Sequence, residues 1–345
     1  MPELRKDPVI GRWVIIATER AKRPKDFKVE KEELPEGPCP FCEGNEAQTP
    51  PEVFAVRKSQ SKSNGPGWDV RVVSSIAPLL QGKGKADLGR RGKGMYDLMN
   101  SIGAHEVIIE TPEHIANIAD LEEEQIARII DCYIERYSQL EKDPRFKYVL
   151  MFKNYGRPAG GGALKHARSQ LIATPVNPKR AKEELVGARK YFEYKERCVF
   201  CDIIKQELEQ KERVIIDIDG IIAISPFASR FPFEVWILPK EHSCDFFAMK
   251  PEHRRDLAGV IKRIMQKLKV ALDDPPYNYI LHTAPFRRAK AGYWKTIDLD
   301  YHWHIEVMPR LTRVAGFEWG TGFYLNPTSP EETTKILRET KIDSR

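Results

Sequence analysis

Two segments of this 345-residue chain carry side chains whose types and spacing suit chemistry. The first runs Lys153-Asn154-Tyr155-Gly156-Arg157-Pro158-Ala159-Gly160-Gly161-Gly162 and continues to His166, Arg168 and Gln170. The second is His302-Trp303-His304-Ile305-Glu306. Alternate residues of a strand share a face, so His166, Arg168 and Gln170 point one way. Gly160, Gly161 and Gly162, just beyond a strand ending at Asn154, let backbone N–H groups approach an anion such as phosphate. Arg168 is always charged: it binds phosphate bidentately and cannot be a nucleophile. His304 differs. An imidazole two residues beyond a metal-bound histidine lies on the same face, and it can attack an α-phosphorus if a backbone carbonyl orients its other nitrogen. His304, Arg168 and Gln170 are therefore the catalytic candidates.

The metal-bound histidines follow from a second pattern. Cys39-Pro40-Phe41-Cys42 and Cys198-Val199-Phe200-Cys201 are each followed by a strand running into Glu-His, at Glu113-His114 and Glu241-His242, and then by a strand-borne histidine, His166 and His302. Tetrahedral zinc takes four Cys or His ligands. Cys39, Cys42, His114 and His166 form one set; Cys198, Cys201, His242 and His302 form the other. Two zinc ions per chain are expected, and the sulfur-rich donors favour zinc over iron. Cys132 falls within a helix and reads as packing. His105 and His253 have no counterpart in the pattern and read as structural or surface residues. His282 lies near the second set with its role open.

The elements that must position these residues occur twice. Strands read at Trp13–Ala17, Arg71–Val73, Glu106–Ile109 and Tyr148–Phe152, then at Val214–Ile216, Ile221–Ile224, Phe233–Leu238, Asn278–His282 and Tyr301–Met308. Apolar residues at helical spacing predict helices over Leu121–Leu140 and Pro251–Leu272, ended by Asp143-Pro144 and Asp274-Pro275. Residues 59–68 and Lys83–Lys93 read as loops. Each half runs Cys-x-x-Cys, strands, Glu-His, helix, Asp-Pro, strand, loop, His-led strand. This divides the chain into residues 1–176, a charged, helix-prone linker over 177–197, and residues 198–345, of α+β class.

The composition is 41% hydrophobic and 31% charged, with 56 basic against 50 acidic residues. That mild excess suits an anionic small molecule; mixed charge argues against a nucleic-acid partner. No apolar run reaches membrane-spanning length. The first residues lack the apolar core of a signal peptide, so a cytoplasmic location is expected.

The chain resembles the galactose-1-phosphate uridylyltransferase family of the histidine-triad superfamily. The resemblance covers nearly the whole chain. It rests on Gly11-Arg12-Trp13-Val14 with Arg20-Ala21-Lys22-Arg23-Pro24, Cys39-Pro40-Phe41-Cys42, the Asn154–Gln170 stretch, Phe233-Glu234-Val235-Trp236, Tyr301-His302-Trp303-His304 and Ala315-Gly316-Phe317-Glu318. It implies tandem histidine-triad-like domains, each an antiparallel half-barrel sheet with a helix and a zinc site, assembled as a homodimer. It implies ping-pong transfer of a nucleoside monophosphate from a nucleotide sugar to a sugar phosphate through a histidine. Relatives with two zinc sets phosphorolyse ADP-glucose or adenylylsulfate. Arg20, Arg23 and Ser75 join Asn154 and the three glycines as candidate substrate contacts. The family reads His-x-His-x-Gln where this chain has His166-Ala167-Arg168-Ser169-Gln170, so Arg168 stands in the nucleophile's place. The alternatives are an adenylyl phosphorylase and an inactive, zinc-stapled nucleotide-binding protein.

Overall fold

The computed structural model describes residues 1–20, 24–27, 37–58, 60–82, 88–288 and 294–342. Its main sheet has ten strands. In chain order they are β1 Glu52–Arg57, β2 Trp68–Ser74, β3 Ala104–Ile109, β4 Tyr148–Tyr155, β5 Arg168–Thr174, β6 Val214–Asp217, β7 Ile221–Ile224, β8 Val235–Pro239, β9 Tyr277–His282 and β10 His304–Pro309. The spatial order is β6-β7-β8-β10-β9-β4-β5-β3-β2-β1. Every neighbouring pair is antiparallel. The first half thus runs 1-2-3-5-4 and the second 6-7-8-10-9, the same order twice. The half-sheets join through β4 and β9, where Asn154 lies opposite Asn278 and Lys153 opposite Tyr279. They form one continuous sheet.

Four long helices complete the frame: α1 Glu123–Glu141, α2 Lys179–Lys195, α3 Val199–Gln210 and α4 Pro251–Leu272. The predicted helices are α1 and α4. The first turn of α1 carries Glu123 and Glu124, which suit the positive end of the helix dipole. Pro251 opens α4, where a missing N–H costs nothing, and Asp273 closes it in the left-handed region (φ 54°). Ile126, Ile129, Ile130 and Tyr133 of α1, and Leu257, Val260, Ile261, Ile264 and Leu268 of α4, pack on one sheet face. They meet Val70, Val72, Ile108, Met151 and Leu171 in the first half and Val235, Ile237, Leu281, Ile305 and Val307 in the second. Each fully buried aliphatic or aromatic side chain contributes roughly 1.5–3 kcal/mol relative to exposure.

The opposite sheet face differs between the halves. Over the second half it is covered by α2 and α3, through Leu185, Ala188, Val199, Phe200 and Ile204 against Ile222, Ile224, Trp236 and Leu238. Over the first half the cover, among the described residues, is a small cluster of Trp68, Val73 and Ile109 with Phe41 and Val107. Along β5, Ser169, Leu171 and Ala173 are buried while Arg168, Gln170, Ile172 and Thr174 alternate with them on this thinly covered side.

Several expectations change in detail. The segment read as a linker over 177–197 forms α2, which buries Ala181, Leu185 and Ala188. The second Cys-x-x-Cys is a helix start, with Cys198 as the N-cap of α3. In the loop expected over Lys83–Lys93, residues 83–87 lie outside the described residues. Arg91–Lys93 instead pairs with Tyr96–Leu98 in an exposed hairpin, because the turn at Gly94 (φ 63°) lets the chain reverse there.

Candidate active site and metal clusters

The two Cys₂His₂ sets assemble as the spacing predicts. Cys39, Cys42, His114 and His166 place their donor atoms within 4.8 Å of one another, and so do Cys198, Cys201, His242 and His302. The Sγ–Nδ1 separations are 3.3 Å (Cys42–His114), 3.5 Å (Cys39–His166), 3.3 Å (Cys201–His242) and 3.7 Å (Cys201–His302). A tetrahedral zinc with ordinary Zn–S and Zn–N bonds places sulfur and nitrogen about 3.5 Å apart, so the donors fit that ion. The outer nitrogens fit too. Nε2 of His166 donates to the Thr111 carbonyl at 2.8 Å, that of His302 to Pro239 at 2.9 Å and that of His242 to Asp298 at 3.0 Å. Each bond fixes the tautomer that leaves Nδ1 for a metal. Four protein donors per set leave no open position, which is the structural rather than the catalytic pattern.

His166 ends the glycine-rich segment, and beside it lies a cavity of about 340 Å³. Its wall includes Lys153, Asn154, Gly161, Gly162, Lys165 and Arg168 together with Asp273 and Asp274. The sequence reading had the glycine N–H groups facing an anion. Instead Gly161 N–H donates to the Gly156 carbonyl at 2.9 Å and Gly160 N–H to Arg157 at 2.8 Å. The loop turns its carbonyls towards Arg168. The guanidinium donates to Leu164 at 2.6 Å, to His166 at 3.1 Å and to Gly161. A guanidinium has five N–H donors, so two remain for a ligand. Gly161 is required for close packing: a Cβ there would lie 2.8 Å from Gly156 N and 2.9 Å from Asn154 O. Below the cavity floor, Lys153 pairs with Glu110 and donates to the Arg168 carbonyl at 3.0 Å.

Of the other predicted contacts, Asn154 lines this cavity, while Gln170, Ser75 and Arg20 fall outside its wall. Gln170 shares the face of Arg168, as expected, but its Oε1 is 2.9 Å from Nε2 of His105. Asn154 accepts from Asn278 at 2.8 Å across the seam between the halves. Ser75 donates its backbone N–H to His105. Arg20 is exposed at the end of a short 3₁₀ turn. Neither Ser75 nor Arg20 lines the cavity. Arg23 lies outside the described residues.

His304 sits at the equivalent position of β10, under α2 and α3. Its Nδ1–H donates to the His302 carbonyl at 3.2 Å, the same bond that Arg168 makes to His166. It is 1% exposed and stacks on His282, the rings 4.6 Å apart. Ring nitrogens of both lie within 4.8 Å of carboxylate oxygens of Glu184 and Glu306. Burial and the charge of His282 push His304 down to about 4. Burial also opposes the charged form of His282, but Glu184 and Glu306 prevail and raise it to about 10. Burial opposes ionisation of Glu306, yet Arg230, at 2.6 Å, and His282 hold it well below the usual carboxylate range. The cluster borders a second cavity, of about 650 Å³, that also reaches Arg12, Trp13, Arg180 and Trp319.

The sequence reading missed Glu184, because it lies in the segment taken as a linker. It left His282 open, because strand spacing alone gave it no partner. The Lys153–Glu110 pair and the Tyr155–Asp274 bond of 2.6 Å are long-range contacts with no local sequence signal.

This fold and site define a class of two-half nucleotidyltransferases with paired Cys₂His₂ clusters, and comparison with known proteins agrees. Residues 184–335 match the family described as "Galactose-1-phosphate uridyl transferase, C-terminal domain". Residues 93–175 match the "Domain of unknown function (DUF4931) N-terminal domain". The chain is 36% identical to an ADP-glucose phosphorylase of Arabidopsis thaliana, over 99% of this chain and 93% of the relative. It is 29% identical to a galactose-1-phosphate uridylyltransferase of Thermotoga maritima, over 99% and 100%. The crystal structure of an Arabidopsis thaliana ADP-glucose phosphorylase with bound ADP-glucose superposes with a TM-score of 0.82 at 35% identity, covering 99% of this chain and 100% of that one. The chain belongs to the galactose-1-phosphate uridylyltransferase family, a group of nucleotidyltransferases that includes the ADP-glucose phosphorylase.

Proposed function

We propose that this chain transfers a nucleotidyl group from a nucleotide sugar to a phosphate acceptor, with ADP-glucose and orthophosphate as the first pair to assay. The observation that carries the reading is the Arg168 cavity, where a guanidinium pinned by loop carbonyls lies beside a closed Cys₂His₂ cluster on the first half-sheet. The higher identity to the ADP-glucose phosphorylase supports adenine over uridine. UDP-glucose with galactose 1-phosphate is the alternative pair. In this reading Arg168 binds phosphate oxygens, Asn154 and the glycines at 160–162 shape the pocket, and Gln170 extends its polar side. The supporting frame is two domains, residues 1–176 and 198–345, with two zinc ions per chain. A homodimer in the cytoplasm completes the proposal; exposed Phe317 and Trp319 are surfaces a second copy would cover.

Phosphorus NMR of the purified protein with each pair tests the reading. Conversion of ADP-glucose and phosphate to ADP and glucose 1-phosphate supports it. Tight binding of the nucleotide sugar with no conversion of either pair points to an inactive binding protein.

A second reading makes His304 the nucleophile. Its favouring observation is the His302 carbonyl bond, which leaves Nε2 unprotonated beside a cavity that also holds Arg12 and Arg180. His304→Ala then abolishes turnover and any covalent adduct. In the Arg168 reading the same variant keeps turnover.

A further inference from the structure

The eight histidines all have structural partners or lie away from the Arg168 cavity. Four face thiols as potential metal ligands. His105 is bonded to Gln170, and His253 lies between Glu241 and Asp256 near the surface. His282 is held between Glu184 and Glu306. His304 lies beneath α2 and α3 beside those carboxylates and lines the other cavity, not this one. His166 alone among them lines the cavity, and both its ring nitrogens are engaged, Nδ1 in the Cys₂His₂ cluster and Nε2 by Thr111. Of the other groups in the wall, Lys153 is ion-paired to Glu110, the Tyr155 hydroxyl is tied to Asp274 at 2.6 Å, and Lys165 and Asp273 have partners of their own.

The repeat shows what has changed. At His304 the bond to the carbonyl two residues earlier orients an imidazole. At Arg168 a guanidinium N–H takes that same carbonyl, 3.1 Å away, and two further loop carbonyls lock the group in place. A pinned guanidinium with N–H donors to spare binds charge on phosphate oxygens bidentately; it has no lone pair for phosphorus.

We propose that transfer in the Arg168 cavity is direct, with the acceptor phosphate attacking the α-phosphorus of the nucleotide sugar in one in-line step and no nucleotidyl-enzyme forming. This rests on the reading of that cavity as the nucleotide-sugar site. An oxygen of the acceptor phosphate supplies the electron pair for the new P–O bond. The bond from the α-phosphorus to the bridging oxygen breaks, and its pair leaves with the sugar 1-phosphate. Any proton on the acceptor stays on what becomes the terminal phosphate of the nucleoside diphosphate. The leaving group departs as an anion, so no general acid is required. The protein's task is to hold two anions in line against their repulsion, as in other phosphoryl-type transfers. Arg168, pinned in the cavity wall, supplies the fixed charge for this.

The test uses the full-length, zinc-loaded protein with ADP-glucose and orthophosphate. Direct transfer predicts intersecting double-reciprocal lines, no mass gain of one nucleotidyl group in the intact protein mixed with donor alone, and inversion at a chiral α-thiophosphate. Arg168→Ala lowers kcat about 100- to 1,000-fold, with zinc content and thermal midpoint measured to show the variant is folded; Arg168→Lys, which keeps charge without the fork, recovers part of the loss. Parallel lines, a covalent adduct or retention at phosphorus overturns the inference while leaving the functional reading intact. An Arg168→Ala variant with unchanged kcat also overturns it. Absence of turnover with both nucleotide sugars removes the functional reading and the inference with it.

Discussion

Replacing Lys153 by methionine probes how the cavity floor is held. Lys153 and Glu110 are 3% and 0% exposed, and their ion pair lies directly under β5. Methionine keeps most of the apolar stem, so packing is largely preserved and the loss is electrostatic. The side-chain partner left to Glu110 is the Tyr133 hydroxyl at 3.3 Å, which also bonds Ser169 at 2.7 Å. Breaking a buried ion pair from one side costs about 3–5 kcal/mol. Losing the bond to the Arg168 carbonyl adds about 1 kcal/mol. At about 2 °C or less per kcal/mol for a chain of this size, the thermal midpoint falls by roughly 5–10 °C. Differential scanning calorimetry and urea unfolding read this directly. Lys153→Met combined with Glu110→Leu recovers most of the stability, since replacing both partners by apolar groups is close to neutral. A single variant within about 1 kcal/mol of the parent, or a double variant worse than the single, refutes the argument.

Further outcomes follow from other parts of the structure. Elemental analysis is expected to find two zinc ions per chain; Cys39→Ser and Cys198→Ser each lower the thermal midpoint, because a structural metal contributes folding free energy directly, and unchanged midpoints in both contradict this. His282, raised to about 10 from an ordinary 6.5, binds its proton more tightly folded than unfolded. Its contribution to stability is therefore complete below about pH 6.5 and lost as pH rises through about 10; denaturant midpoints of His282→Asn should be lower at neutral pH and flatter across that window, and parallel curves for parent and variant speak against it. Gly161→Ala places a Cβ against backbone atoms at 2.8 and 2.9 Å, so it costs about 1–3 kcal/mol and weakens nucleotide-sugar binding by calorimetry; a variant with parental stability and affinity shows that the loop can give way.

Much of this organisation was legible in the sequence, and the physical reason is periodicity. The helical spacing of Ile126, Ile129, Ile130 and Tyr133 and the strand alternation around Arg168 report which faces are buried. The two Cys₂His₂ sets were legible because a metal site needs specific donor types, and here the donors recur in the same order among repeated elements. The covering of the second half-sheet was not. Glu184 reaches the His282–His304 pair from α2, and nothing local marks a charged helical segment as a lid. The loop carbonyls that bind Arg168 were equally hidden, because glycine spacing shows that the backbone can turn tightly but not whether it presents N–H or C=O. The seam between β4 and β9 depends on edge pairing over more than a hundred residues, which a repeat pattern does not specify.

The central claim is that a nucleotide sugar places its phosphates at Arg168 and loses its nucleotidyl group there to a phosphate acceptor. Phosphorus NMR of the zinc-loaded parent and Arg168→Ala proteins, each with ADP-glucose and orthophosphate, tests it most directly. The account predicts that ADP and glucose 1-phosphate accumulate in equal amounts with the parent and at least about 100-fold more slowly with the variant. Equal rates for the two proteins, or an unchanged spectrum with the parent for both ADP-glucose and UDP-glucose donors, would contradict it.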